Sequence, residues 1–458
     1  MIAEGEWEDC RLQGFLKKAI NSDMRYRFVL RRLANCCIYS DPSMGVHLVS
    51  NGKSSRVLGV RACLHSWACP YCSARKMSKY AARISAAIEA LGTLCDLVPI
   101  MITFTVFHTN KYSCDEVFEL LTRAYTMFDK MASIKKRKKS NGHLYANGGA
   151  WNKFCTEFNV VHKIKACEVT YGSQGWHPHL HNLYFVPRSR LQDVAEFEES
   201  LKDFWAQCVD KAAGVVFPDD RYEIRKFLEG KETRADYQHC GLYISKNADG
   251  SIRQMRSGDY ACGYTYAHWG AEKELTGLAC KVARDGHYTP MQMLQAAYDG
   301  NEELLEKYLE FASTVITRRQ HRIDFSRTGI KHYIIQWRNT EGYKEYIKKK
   351  NTYVASQLVE KPYSLVAWFP SSLWLQICYE NDFKSDWLIF LIKRFALYDE
   401  GYDLICELLA VFGFSPPCRS APIDICTPFN DLIFSGRSYE EDEYYKERKA
   451  VALQAFSA

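Results

Sequence analysis

The sequence has no apolar run long enough to cross a bilayer. The longest, such as residues 97–107, are interrupted by Pro99 and by threonines and fall short of the ~20 residues a spanning helix needs. An export signal is missing too, because M-I-A-E-G-E-W-E-D places acids where such a signal carries cations. There are no internal repeats, no low-complexity tracts and no Gly-rich phosphate loop, which argues against a nucleotide-driven motor. Nor is there a large excess of one charge. Lys and Arg number 60 against 54 Asp and Glu, a net +6, so any nucleic-acid surface must be a local patch.

What is present suits a soluble globular chain. Its 458 residues, 47% hydrophobic and 25% charged, predict two or three domains with sizeable cores. Eighteen cysteines without an export signal point to reduced thiols in a cytoplasmic setting, some of them holding metal. The pattern Cys63-x5-Cys69-x2-Cys72 contains a knuckle that aims two thiolates at one ion, with Cys63 as a third ligand to a structural Zn²⁺. The fourth comes from Cys36, Cys37 or His65; Cys37 is taken as the working choice. From Ser73 onward Met77, Tyr80, Ala81, Ile84, Ala87, Ile88 and Leu91 form one helical stripe. Before the cluster, a basic stretch carries Arg25, Arg27, Arg31 and Arg32, and Asn51-Gly52 marks the turn of a hairpin over 45–60.

The chemistry concentrates in E-V-T-Y-G-S-Q-G-W-H-P-H-L-H-N-L-Y-F-V. Apolar and polar residues alternate, so His177, His179 and His181 share one face of a strand. The run 164–171 is a second strand, and Gly172-Ser173-Gln174-Gly175 is the turn between them. A hairpin closed there pairs Thr170 with His177, Glu168 with His179 and Ala166 with His181. Paired residues share a face, so Glu168 joins the imidazoles. Such a set suits Mg²⁺, Mn²⁺ or Zn²⁺ with positions open for substrate oxygens.

Around this hairpin, 97–107 predicts a buried strand, and Ser113-x-x-Glu116 a capping box opening a helix. That helix runs into Lys135-Lys136-Arg137-Lys138-Lys139, a candidate DNA-binding run by phosphate neutralisation and equally a solvated loop. Residues 241–246 read as a strand. The segment 259–276 reads as a helix with Tyr260, Tyr264 and His268 along one side. The last hundred residues hold aromatic-rich helical stretches at 365–379 and 387–398.

The Cys63/Cys69/Cys72 cluster with S-A-R-K, the T-F-T-V-F-H strand, the G-W-H-P-H-L-H hairpin and the Tyr-rich W-G-A-E-K-E-L-T segment occur in this order. In this the chain resembles plasmid rolling-circle replication initiators, a branch of the HUH endonuclease superfamily. The likeness covers roughly residues 30–332, and Y-T-P-M-Q-M-L and R-I-D-F-S-R extend it. It implies strand-specific nicking at a plasmid origin, with a cation on His179, His181 and Glu168 or His177. A tyrosine attacks, forming a 5′-phosphotyrosine bond, and strands are later rejoined without ATP. Relatives carry Tyr-x-x-Lys before the W-G-A-like segment. Here Tyr264 is followed at that spacing by Ala267, so Tyr264 is the first choice of nucleophile, ahead of Tyr260, Tyr266 and Tyr243. Tyr260 and Tyr264 are also candidates for a pair acting in succession. Partners implied are origin DNA, single-stranded at the nick, with a host helicase and self-association as further candidates.

The expected fold is α+β: an antiparallel sheet carrying the His hairpin, with helices on one face. The expected division is a zinc-braced module over 1–94, the endonuclease domain over 95–300 and a helical region over 301–458. Rival readings are a mobilisation relaxase or single-strand transposase, a non-enzymatic zinc-dependent DNA-binding regulator, and a nuclease using activated water.

Overall fold

The computed structural model describes residues 2–131, 156–224, 286–345 and 363–421, apart from short interruptions at 41, 53–54, 158, 161, 191–192, 194–197, 221, 223, 326–328 and 380–383. It also describes the strand segments Arg137–Lys138, Leu144–Tyr145 and Gly241–Ile244. The protein mixes helices with antiparallel sheet. It divides into two compact units that interleave along the chain. One comprises residues 1–76, 294–316 and 350–458; the other comprises 77–293 and 317–349. The sequence-based boundaries at 94/95 and 300/301 do not coincide with these limits.

The second unit is built on a six-stranded sheet. Its centre is the strand Gly175–Pro187, paired on one side with Lys163–Gly172 and on the other with Leu97–Thr105. Beyond these lie Ile323–Phe325 and Gly241–Ile244 at the two edges, with His287–Tyr288 added to the end of Lys163–Gly172. Gly172 pairs with Gly175, leaving Ser173-Gln174 as a two-residue loop. Gly175 adopts φ +84°, and a Cβ there would stand 2.7 Å from the Thr109 carbonyl oxygen, so glycine is required on both counts.

Alternation along the strands gives the sheet two unlike faces. On one, Phe104 meets Phe128 and Trp205 at ring-centroid distances of 4.8 and 4.9 Å. Those rings come from the helices Cys114–Met131 and Glu198–Val216. On the other face Met101, Ile164, Ala166, Leu183 and Phe185 are buried with Met77, Ile84, Ala87 and Leu91 of the helix Pro70–Cys95, and with Ile330, Ile334 and Trp337 of Ile330–Arg338. Helices therefore cover both faces, rather than the one expected. The second face is only half apolar: by the same alternation, His177, His179, His181 and Glu168 occupy its other half.

The first unit has a three-stranded antiparallel sheet, Ser364–Phe369, Val46–Ser50 and Ser55–Leu58. Val46, Leu48, Val57, Ala367 and Phe369 pack with Leu373, Trp374, Leu388, Ile392, Ile405 and Leu409 from the helices Ser371–Tyr379, Lys384–Phe395 and Gly401–Val411. The hairpin expected over 45–60 forms. The stretch 365–379, expected to be helical, begins as a strand. Leu365, Val366, Ala367, Trp368 and Phe369 supply β-preferring residues, and Pro370 separates them from the helix. No helix among the described residues is long and apolar enough to cross a membrane.

Candidate metal centres

Two groups of metal-ligating side chains converge among the described residues: Glu168, His179 and His181 in one unit, and Cys36, Cys63, Cys69 and Cys72 in the other.

The first group rests on the strand register. Glu168 pairs with His179, and Ala166 with His181, as the turn position predicted. Oε2 of Glu168 lies 3.1 Å from Nε2 of His179 and 3.2 Å from Nε2 of His181. Neighbouring ligands of an octahedral ion at ~2.1 Å are about 3.0 Å apart, so three atoms spaced this way fit one cation. On the opposite side His181 pairs with Thr103, and Nδ1 of His181 is 2.9 Å from Oγ1 of Thr103. With its proton on Nδ1, the ring donates to Thr103 and keeps the Nε2 lone pair for a cation. The guanidinium of Arg322 is buried, which pushes its pKa down, while attraction to the Glu168 and Cys167 side chains pushes it up. The side chains of His179, His181 and Glu168 retain 14%, 7% and 17% of their accessible surface, so the cluster is not sealed.

His177 shares the face without joining the group. Its ring stacks on His108, centroids 4.5 Å apart and planes 14° from parallel, and its Nε2 is buried with no hydrogen-bond partner. Burial, followed by the neighbouring imidazoles, holds the His177 pKa well below the usual range, and burial lowers that of His108. Both are neutral at pH 7. Nδ1–H of His108 donates to the Val106 carbonyl at 3.2 Å when the proton sits there. Neither Thr103, as a support for His181, nor His108 was singled out from sequence. Thr103 was legible as one of two threonines in an otherwise apolar strand.

In the second group the Sγ of Cys36 lies 3.5 Å from that of Cys69 and 3.6 Å from that of Cys72, and Cys63 lies 3.7 Å from Cys72. These separations are far beyond a disulfide's ~2.05 Å. They match the edge of a tetrahedron, about 3.8 Å, around an ion bonded to sulfur at ~2.3 Å. Backbone amides support the sulfurs: Cys72 N–H donates to Cys69 Sγ and Cys63 N–H to Cys36 Sγ, both at 3.4 Å. Bonds from the surrounding thiols, Cys37 first, lower the Cys36 pKa, whereas burial chiefly raises that of Cys69.

The fourth thiol is Cys36, in place of Cys37. Cys37 holds φ +62° and its N–H donates to the Arg61 carbonyl. That geometry leaves Cys36 buried and Cys37 at the cluster's margin, 3.7 Å from Cys36 Sγ. His65 is not in the group.

The other expected site residues are described only in part. Tyr243 lies in the strand Gly241–Ile244, at the register position of Met101. Arg137 and Lys138 form a short strand paired with Leu144–Tyr145. Lys135, Lys136 and Lys139, and Tyr260, Tyr264, Tyr266 and His268, lie outside the described residues.

The class defined by fold and site is an α+β protein with two clusters that could bind metal, one of four buried thiols and one, part-open, of two histidines and a glutamate. In comparison with curated proteins it is similar to a protein named "Protein rep" from Streptomyces lividans, 29% identical over 288 residues, covering 56% of this chain and 57% of that protein. It is also similar to one named "Neomycin resistance protein" from Streptomyces cyanogenus, 30% identical over 163 residues, 32% of this chain and 35% of that one. The matches thus span little more than half, and about a third, of these relatives' lengths. No protein-family model matches the chain, and no solved structure does.

Proposed function

We propose that this protein is a plasmid replication initiator that nicks one strand of origin DNA and rejoins it. In the reading we favour, the Tyr264 hydroxyl oxygen attacks the scissile phosphorus. An O–P bond forms to the 5′ side, the P–O3′ bond breaks, and the proton released by Tyr264 is matched by the one the 3′-oxygen takes up as a free hydroxyl. Tyr260 is the candidate for a second transfer. His179, His181 and Glu168 would hold Mg²⁺ or Mn²⁺, which supplies charge neutralisation at the phosphate oxygens. Thr103 would fix the His181 tautomer. Cys36, Cys63, Cys69 and Cys72 would hold a structural Zn²⁺. The substrate would be single-stranded DNA at a plasmid origin, in the cytoplasm.

The observation that carries the reading is the meeting of the Glu168 carboxylate with two Nε2 atoms across paired strands. A histidine strand that served only packing would not need a carboxylate facing it. Similarity to a protein named for replication supports the choice of DNA as substrate.

The test is a reaction of the purified full chain with Mn²⁺ and the cognate origin, supplied as single-stranded and supercoiled DNA. An adduct that survives SDS, located by mass spectrometry on the peptide containing Tyr264, is the expected result. An adduct on another tyrosine would keep the class and move the residue. Cleavage without an adduct would replace this reading with a hydrolytic nuclease, and binding without cleavage with a regulator.

A further inference from the structure

The basic stretch before the cysteines plays no part in either metal cluster. It forms a nearly continuous helical path, Met24–Arg27 followed by Arg31–Ala34. Leu30 N–H donates to the Tyr26 carbonyl, Ala34 to Leu30 and Asn35 to Arg31. Leu30, Leu33 and Ala34 are fully buried and anchor the inner side. The outer side presents Met24 at 90%, Phe28 at 84% and Val29 at 39% exposure. A phenylalanine left in water forgoes the gain of burial, and three neighbouring apolar residues do so here.

The arginines beside them divide into two kinds. Arg25 is neutralised, bonding Asp23 and Glu306 at 2.6–3.2 Å. Arg27, Arg31 and Arg32 are exposed, and among the described residues no side chain pairs with them. Phe28 opens the turn between the two short helices, with Arg27 before it and Arg31 and Arg32 just after the turn, so ring and guanidinium groups belong to one short stretch of surface. Three uncompensated cations disfavour an apolar protein partner. A polyanion with exposed aromatic faces satisfies both features, and that is unpaired nucleic acid: phosphates meet guanidinium groups while a base stacks on the ring.

We propose that the outer face of residues 24–32 is a contact surface for single-stranded DNA, with Arg27, Arg31 and Arg32 on phosphates and Phe28 stacked on a base. The choice of DNA rests on the replication reading above; the surface itself does not depend on nicking.

The test uses the full-length, metal-loaded protein and a fluorescent single-stranded 20-mer, with anisotropy titrations from 50 to 300 mM salt. Phe28→Ala should weaken binding roughly 5- to 100-fold. Arg27→Ala/Arg31→Ala/Arg32→Ala should reduce the slope of log affinity against log salt by about 2, for three phosphates at ~0.7 each. All four side chains are exposed, so both variants should melt with the parent. Unchanged affinity in Phe28→Ala, or an unchanged slope in the triple variant, would overturn the proposal. So would a loss seen only with anionic lipid vesicles, which would assign the face to a membrane surface. Both variants should still form the covalent adduct at saturating DNA. If the parent forms none while its binding depends on Phe28 and the arginines, the surface stands and the nicking reading falls.

Discussion

The two metal-ligating clusters are built on opposite plans. Cys36 lies in the turn after Arg31–Ala34, Cys63 and Cys69 in the segment leading into the helix Pro70–Cys95 and Cys72 in its first turn, and all are at most 4% exposed. Four thiolates complete a tetrahedron and leave no coordination position for anything else, which is the plan of a structural site. Glu168, His179 and His181 come from two adjacent strands of one sheet, on the polar half of a face, and keep part of their surface accessible. Three ligands of mixed type leave positions open, which is the plan of a site that meets a substrate. The difference teaches where an ion's binding energy would go. At the thiol cluster it would stabilise the fold. At the His/Glu cluster the sheet stands without the ion, held by strand pairing and by apolar packing on both faces.

Removing a thiol should therefore have the largest effect. Cys69→Ser should lose the zinc equivalent measured by atomic absorption and a large part of the stability of its unit, since a structural zinc contributes on the order of 10 kcal/mol. Cys36→Ser should match it, while Cys37→Ser should retain the metal. The comparison breaks if Cys37→Ser loses the ion and Cys36→Ser keeps it.

His181→Ala should show the opposite signature. DNA cleavage should fall by at least ~100-fold, while zinc content and the melting midpoint stay near those of the parent. A collapse of stability on this substitution would mean that the His/Glu cluster, too, is structural. A subtler version is Thr103→Val, which removes the partner of His181 Nδ1 and keeps the shape of the side chain. Calorimetric titration should show Mn²⁺ affinity reduced about 10- to 100-fold, with cleavage restored by added Mn²⁺. No change would mean that the Thr103–His181 bond does not tune the ligand.

Much of this contrast could be read from the sequence, for particular reasons. The His hairpin was legible because its turn fixes the register, and the register alone decides that Glu168 faces His179. The choice between Cys36 and Cys37 was not legible. Adjacent side chains diverge, and the winner is set by a left-handed φ at Cys37 together with a backbone bond to Arg61, neither of which leaves a mark in composition. The apolar stripe of Pro70–Cys95 showed that the helix has a buried side, but a stripe does not say which face of which sheet it covers. Over 365–379 the sequence predicts a helix because a short apolar run has no clear period, and only the pairing of Ser364–Phe369 with Val46–Ser50, more than three hundred residues earlier, makes its first part a strand.

The smallest effect belongs to the capping box, and it sharpens the comparison by separating fold from metal. Ser113 Oγ accepts from Glu116 N–H at 3.3 Å, and Glu116 Oε2 accepts from Ser113 N–H at 2.8 Å. Together they close the start of Cys114–Met131, the helix that packs beneath Phe104 on the sheet face away from the histidines. Ser113→Ala should cost about 1 kcal/mol, read as a small drop in the denaturant midpoint with an unchanged slope. The helix does not touch the ligand-bearing face, so Mn²⁺ affinity and zinc content should both hold. If Mn²⁺ affinity fell along with the midpoint, the His/Glu geometry would depend on the stability of its unit as the thiol cluster's unit depends on zinc, and the two plans would differ in degree only.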